Sequence, residues 1–180
     1  MTLAVPLDHD EPARPIVAAD VAARRTAWWP VALACVGALA LATGIAIVDA
    51  LPVGVVADDS FYVILARALA SGEGYRYLNV PGHPAATHFP PGYPALLALL
   101  SFVLPAFPAS VVGFKVLNAV FLAVASICVA RLLRSRVGLD AMWSAGVGAV
   151  TAVSVPLLIL DNLVLSELCF LALALALLLA

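Results

Sequence analysis

Two adjacent aspartates, Asp58 and Asp59, open the long polar stretch between the first two apolar parts of the chain. A carboxylate at a membrane–water boundary can act as a general base and take the proton of an acceptor hydroxyl. Aspartate is also a preferred N-cap, so either residue can serve only to accept hydrogen bonds from the free N–H groups of a following helix. Two acids are more than one cap requires, so both are candidate catalytic residues, although their spacing alone favours the capping role.

A helix is predicted directly after these acids, because apolar residues recur with spacings of three and four: Phe61, Ile64, Leu65, Ala68 and Leu69. The opposite face carries Arg67, so this helix is expected to lie on a membrane surface. Tyr62 is a candidate substrate-binding residue, or else an interfacial aromatic anchor. Arg67 is a second candidate, because its guanidinium matches phosphate geometry; the alternative partner is a lipid head group.

The remainder of the polar stretch carries two histidines and a proline run. His83 and His88 are candidate metal or phosphate contacts, or else solvated loop histidines. We take His88 as the candidate metal ligand and as a substrate-binding residue. The run Pro90–Pro94 fixes the turn into a second short helix, since proline fixes its own φ and restricts the preceding residue. Tyr93 within the run is a further candidate substrate-binding residue.

Ionisable and amide side chains also occur inside the later apolar segments. Glu167 is a candidate substrate-binding acid, because an acid within a membrane span is costly and often functional. Its alternative role is to remain near a helix N-terminus, where negative charge is favourable. Lys115 is expected to snorkel to the surface. Asn118 is expected to make an interhelical hydrogen bond.

The composition favours a membrane protein. Of the 180 residues, 64% are hydrophobic and 11% are charged, whereas about a quarter of the residues of a soluble domain are charged. The apolar residues form long runs, which predicts an all-α, polytopic membrane helical bundle; no basic stripe indicates nucleic acid.

The predicted order is a cytoplasmic tail (1–27), a signal-anchor span (28–50), an outer loop (51–110) with surface helices at about 59–71 and 94–104, a second span (111–133), a cytoplasmic loop (134–140), a third span (141–160), an outer turn (161–162) and a fourth span (163–180).

Arginines predict the orientation of these spans. Arg24 and Arg25 precede the first span, and Arg131, Arg134 and Arg136 follow the second. The positive-inside rule then places the N-terminus in the cytoplasm and the long loop on the extracytoplasmic side of the cell membrane. In this arrangement the candidate site residues lie at one membrane face.

The polar stretch resembles the first outer loop of the GT-C type membrane glycosyltransferases that use polyprenyl-phosphate sugars. The resemblance rests on the pattern D-D-x-x-Y-x-x-x-A-x-x-L-x-x-G-x-G-Y, followed by P-P-G-Y-P-x-L-L-A, within 58–100. It extends loosely to L-N-A at 117–119 and L-S-E at 165–167. The family includes the protein O-mannosyltransferases, the lipid A aminoarabinose transferases and the related rhizobial lipopolysaccharide sugar transferases.

This resemblance implies a GT-C-like, incomplete bundle with short helices in its first outer loop. It also implies an inverting transfer of a sugar from a polyprenyl-phosphate donor to a hydroxyl of a protein, lipid or glycan. The first acid of the motif, Asp58, would be the general base or would orient the acceptor, and Asp59 would support it; the family often has glutamate at the second position. In the aminoarabinose branch the position of His88 is a metal-binding acid followed by a phosphate-contacting lysine. Phe89 stands in place of that lysine, so a divalent metal is the one cofactor implied and the phosphate contact is missing.

Two other classes of function stay open. A transporter or channel segment would have ionisable residues at mid-membrane depth or discontinuous helices at the bilayer centre. A truncated membrane protein without activity is the other class. Because the sequence stops within an apolar run, it is expected to be the N-terminal portion of a longer protein, and this portion alone is expected to be inactive.

Overall fold

The chain is mostly helical in the part that the computed structural model describes, residues 27–49, 53–54 and 56–180, with an irregular loop at 71–91. Strand pairing in those ranges is limited to one isolated bridge between Arg76 and Ala85. The predicted all-helical class is therefore confirmed for the described residues, whereas nearly all of the predicted tail 1–27, with Arg24 and Arg25, lies outside them. The helices are α1 (Trp29–Ile47), α2 (Ala57–Ala70), α3 (Gly92–Ser101), α4 (Ser110–Leu132) with a π-helical turn (Leu133–Val137) directly after it, α5 (Ala141–Ala152), α6 (Val155–Asp161) and α7 (Glu167–Leu179).

Helix α4 is the centre of the bundle, because α1, α5 and α7 all pack against it. Small residues allow α1 and α4 to approach closely. A Cβ atom on Gly44 would stand 2.7 Å from the Cβ atom of Ala119, and one on Gly37 would stand 2.7 Å from Cδ1 of Ile127. Close approach through glycine and alanine is typical of helices that pack within membranes.

Two helices are long and apolar enough to cross a membrane. They are α1, with 19 residues, and α4 with its π-helical turn, which span 28 residues together; both have a mean hydropathy of 2.2. Helices α5 and α6 pass the same test together, which makes three if this bent pair is one span. The predicted fourth span, 163–180, is helical over the 13 residues of α7. These lengths are compatible with a membrane protein, and the number and orientation of the spans stay predictions.

The segment predicted as a third span, 141–160, is bent by 50° between α5 and α6. Helix α5 ends at Ala152, and Ser154 is extended before α6 begins at Val155. Pro156 explains the break, because it cannot donate a hydrogen bond and its ring clashes with the carbonyl group four residues earlier.

The short helices α2 and α3 form a second layer at one end of the bundle. They pack against each other, and their buried residues form one core cluster with Val111 and Phe114 of α4 and Val164 and Leu165 before α7. The buried face of α2 includes Tyr62, Val63 and Ala66. Both helices begin about two residues before the predicted surface helices, and α2 packs Tyr62 inward against the protein.

Candidate functional site

The two acids of the motif lie in the first turn of α2 and point into different surroundings. Asp58 is exposed, whereas Asp59 is only 2% exposed. Neither caps the helix, since Val56 is the N-cap residue and provides no side-chain hydrogen bond. Instead the Oδ1 atom of Asp59 accepts a hydrogen bond from the N–H of Gly54 at 2.7 Å. Gly54 has a φ of +112°, a backbone conformation that residues other than glycine rarely adopt.

A polar cluster ties three parts of the fold together beside Asp59. Asp49 follows α1, Lys115 lies in the second turn of α4, and Asn162 follows α6. The Nζ atom of Lys115 donates to Oδ1 of Asp49 at 2.5 Å and to the carbonyl oxygen of Asp49 at 3.2 Å. Asn162 donates from Nδ2 to Oδ2 of Asp49 at 3.0 Å, and its Oδ1 accepts from the N–H of Asp49 at 3.3 Å. Lys115, expected to snorkel, is instead 4% exposed.

Asp59 and this cluster line the same cleft, which has a volume of about 330 Å³. Its polar atoms come from Asp49, Asp59, Lys115 and Asn162. The rest of its wall is apolar: Ile47, Val53, Val155, Leu158, Ile159, Leu163 and Val164. The cleft therefore combines one ammonium group and two carboxylates with an apolar wall, the usual composition of a small-molecule site.

A second group of polar contacts adjoins the cleft at Leu163, which is one of the cleft-lining residues. The hydroxyl of Tyr93 donates to Oδ1 of Asn118 at 2.9 Å, and Nδ2 of Asn118 donates to the carbonyl oxygens of Leu163 at 2.5 Å and Asp161 at 3.4 Å. The interhelical hydrogen bond predicted for Asn118 is thus confirmed. Tyr93 thus links α3 to α4. It is buried, with only 6% of its surface exposed.

Asp161 is fully buried at the end of α6, and neither of its carboxylate oxygens has a hydrogen-bond partner within the described part of the chain. It faces α1 at Gly44, because a Cβ atom on Gly44 would stand 3.1 Å from Oδ2 of Asp161. A buried carboxyl group without partners carries a desolvation cost, which distinguishes it from the hydrogen-bonded acids of the cleft.

The structure places Tyr62 and Glu167 near each other but outside the cleft lining. The hydroxyl of Tyr62 shares a hydrogen bond of 2.9 Å with Oγ of Ser166, directly before α7. The ring of Tyr62 packs edge-on against Phe89 and Tyr93, with centroids 5.2 and 5.3 Å away. Glu167 is exposed in the first turn of α7, where the helix dipole favours a negative charge.

Arg67 and His88 also lie away from the cleft. Arg67 is exposed, and its guanidinium carbon lies 5.0 Å from the ring centroid of Phe107. His88 is exposed and packs edge-on against Phe89 at 5.0 Å. In the described ranges, no three His, Cys, Asp or Glu side chains form a group that could hold a metal ion, so we assign no metal-dependent step to His88.

The rest of the polar loop is held by hydrogen bonds of its own. Tyr75 donates its hydroxyl hydrogen to the carbonyl oxygen of Phe89 at 2.9 Å. Desolvation, with smaller effects of Tyr77 and Tyr62, raises the pKa of Tyr75 to about 12, so this hydroxyl stays protonated as a donor. His83 forms an exposed contact of 3.4 Å with Glu73. Both contacts join residues of the loop to each other and so stabilise its own conformation.

Of the candidate residues, the structure therefore brings only Asp59 into the cleft lining, with Asp58 next to it in the chain. Sequence reasoning did not single out Asp49, and it treated Asn162 as part of a tight turn. Neither Asp49, a single acid after an apolar run, nor Asn162, an amide in a turn, belongs to a periodic pattern. The sequence feature that could have indicated them is Lys115, since a lysine inside an apolar segment needs a compensating acid.

Comparisons of the chain with protein-family models, with curated proteins and with solved structures found no match.

Proposed function

We propose that the chain belongs to a membrane glycosyltransferase that transfers a sugar from a polyprenyl-phosphate donor to an acceptor hydroxyl. The observation that carries the proposal is the position of the loop motif. One acid of the pair, Asp59, lines a cleft that combines the buried cation of Lys115 with an apolar wall, and Asp58 is its neighbour in the chain. A polyprenyl phosphate has the matching chemistry, an anionic phosphate on a long apolar chain.

In this proposal the cleft binds the donor. Lys115 neutralises the donor phosphate; when the donor is absent, Asp49 holds the ammonium group, and Asn162 in turn donates a hydrogen bond to Asp49. The apolar wall takes the first part of the prenyl chain. Lysine serves here as a point charge, because a buried ammonium can exchange one anionic partner for another without changing its position.

Asp58 and Asp59 have different roles in this proposal. Asp59 fixes the backbone of Gly54 at the cleft through its 2.7 Å hydrogen bond. Asp58, which is exposed, takes the proton of the acceptor hydroxyl. The acceptor oxygen forms a bond to the anomeric carbon as the bond to the phosphate oxygen breaks. The polyprenyl phosphate leaves with that electron pair, and the configuration inverts.

The same proposal includes the topology. The N-terminus lies in the cytoplasm, the chain crosses the cell membrane several times, and the loop with Asp58 faces the extracytoplasmic side. A donor held in the bilayer then meets a protein, lipid or glycan acceptor at the surface. The bundle is of the GT-C type, with α2 and α3 as the short helices of its first outer loop.

Sugar transfer by the full-length protein tests this function. The purified protein is given a radiolabelled polyprenyl-phosphate sugar and a hydroxyl acceptor, and the label that moves to the acceptor is measured. We expect Asp58→Asn to lower turnover by about 100-fold or more, since a general base contributes at least that factor. Asp59→Asn should lower turnover less and should also lower stability. Full turnover in correctly folded Asp58→Asn protein would show that the catalytic assignment is wrong.

Glu73→Gln is the matched control, because Glu73 is an exposed loop acid outside the cleft and should leave turnover unchanged. A comparable loss in this variant would mean that any change of charge in the loop impairs the protein.

A transporter is a second candidate, favoured by the 50° break between α5 and α6. Discontinuous helices form substrate sites in many transporters, and Val155 beside this break lines the cleft. Proteoliposomes separate the two candidates. Uptake of a solute without any sugar transfer would favour the transporter, whereas sugar transfer without net flux would favour the enzyme.

A further inference from the structure

An arginine cluster lies at the opposite end of α4 from Lys115. It consists of Arg131, Arg134 and Arg136, and it borders a cavity of about 520 Å³ whose other walls are Trp29, Ser135 and Leu179. From residue 115 to residue 131 the helix rises about 24 Å at 1.5 Å per residue. The cluster is therefore separate from the cleft described above, and it does not depend on the proposed function.

The positive charges of this cluster are not balanced within the described part of the chain. None of the three guanidinium groups forms an ion pair there, where the ion pairs involve Lys115 and His83. Asp140 is the acid closest in sequence, and it already caps α5. Its Oδ1 atom accepts hydrogen bonds from the N–H groups of Met142 at 2.9 Å and Trp143 at 3.2 Å.

Local structure holds the arginines in position. Arg134 and Arg136 lie in the π-helical turn that continues α4, and this turn ends at Gly138 with a φ of +77°. Such π-helical turns are frequent at functional sites. Arg134 is half-buried, and its guanidinium carbon lies 4.7 Å from the ring centroid of Trp29 in α1. This contact with the ring uses none of the guanidinium N–H donors in an ion pair within the described ranges, so they can bind an anion.

We propose that the arginine cluster binds the phosphate head group of an anionic phospholipid. The cavity combines three guanidinium groups, which match phosphate oxygens in pairs, with the apolar surfaces of Trp29 and Leu179. It lies where α1 and α4, the two helices long enough to cross a membrane, have adjacent ends. A lipid places its phosphate and the start of its acyl chains at that depth, whereas a soluble phosphate would gain nothing from the apolar wall.

Lipid binding to the full-length protein in a neutral detergent tests this proposal. Short-chain phosphatidylglycerol, phosphatidylcholine and inorganic phosphate are titrated separately, and binding is followed by calorimetry. We expect phosphatidylglycerol to bind at least tenfold more tightly than the other two probes. The triple variant Arg131→Gln, Arg134→Gln, Arg136→Gln should lose that preference. The double variant Arg67→Gln, Arg76→Gln, which removes two arginines at the other end of the molecule, should keep it.

Arg134→Lys distinguishes a built site from a diffuse positive surface. Lysine keeps the charge but loses the paired N–H donors and the planar stacking on Trp29, so we expect phosphatidylglycerol binding to weaken about tenfold. This single variant also decides the question if the triple variant does not fold.

Three results would overturn the proposal. Unchanged phosphatidylglycerol binding in Arg134→Lys would show that only the positive charge of the cluster matters and that the arginines do not form a specific site. Equal loss in the Arg67, Arg76 double variant would show that net charge alone determines binding. Inorganic phosphate that binds as tightly as phosphatidylglycerol would assign the cavity to a soluble phosphate instead.

Discussion

The ion pair between Lys115 and Asp49 is asymmetric, because the Lys115 side chain is 5% exposed and the Asp49 side chain is 38% exposed. This asymmetry predicts that removing the acid costs more stability than removing the base. In Asp49→Ala the buried ammonium group loses the carboxylate whose Oδ1 lies 2.5 Å from Nζ. In Lys115→Met the carboxylate of Asp49 can turn toward water, and methionine fills the space of the lysine stem.

The two limits of ion-pair energetics bracket the magnitudes. Exposed pairs contribute about 0.2–1 kcal/mol, and breaking a fully buried pair costs about 3–5 kcal/mol. We therefore expect Asp49→Ala to lower the free energy of unfolding by about 3 kcal/mol and Lys115→Met to lower it by about 1 kcal/mol. The double variant has neither charge, and we expect a coupling energy of about 2 kcal/mol, a factor of about 30 in the unfolding equilibrium. The hydrogen bond lost by Asn162 is common to Asp49→Ala and the double variant, so it cancels from the coupling.

Unfolding by SDS in mixed micelles, followed by circular dichroism, measures these free energies. Glu73→Ala is the control for an exposed pair, since Glu73 and His83 are each 49% exposed; it should change the free energy by at most about 0.5 kcal/mol. Equal costs for the two single variants at the cleft, or a coupling energy below about 0.5 kcal/mol, would refute the reasoning from burial.

Three further variants test the packing with the same unfolding assay. Tyr93→Phe removes the buried donor to Asn118 and should cost about 1–3 kcal/mol, because an amide oxygen loses its partner. Gly44→Ala places a Cβ atom 2.7 Å from that of Ala119 and should cost about 1–3 kcal/mol, because α1 and α4 must move apart. Asp140→Ala removes the side-chain cap of α5 and should cost about 1 kcal/mol.

Each of these variants has a matched control. Tyr77→Phe removes a hydroxyl that makes no hydrogen bond within the described ranges, and its cost should be clearly smaller than that of Tyr93→Phe. Gly146→Ala adds a Cβ atom in open space and should be neutral or stabilising by up to about 1 kcal/mol, given the helix propensity of alanine. Asp140→Asn should retain most of the cap. Equal effects in a variant and its control would contradict the assigned contact.

Much of the helical pattern follows from local sequence. The apolar run before Asp49 predicts α1, and the spacing of three and four after Asp59 predicts α2, because both signals depend only on residues a few positions apart. The bend within 141–160 was not predicted, since Pro156 stands inside an apolar run that is long enough to span. A prediction from length and hydropathy alone does not take into account that Pro156 lacks a backbone N–H donor.

The candidate site shows the same division between local and long-range information. The sequence by itself determined that two acids open a helix and that the surrounding segments are apolar, because composition and periodicity are properties of neighbouring residues. Only the tertiary structure decided that Asp59 turns inward while Asp58 stays exposed, and that Lys115 meets Asp49 from 66 positions away. That contact depends on how closely α1 and α4 pack, and no local pattern encodes the distance between two helices.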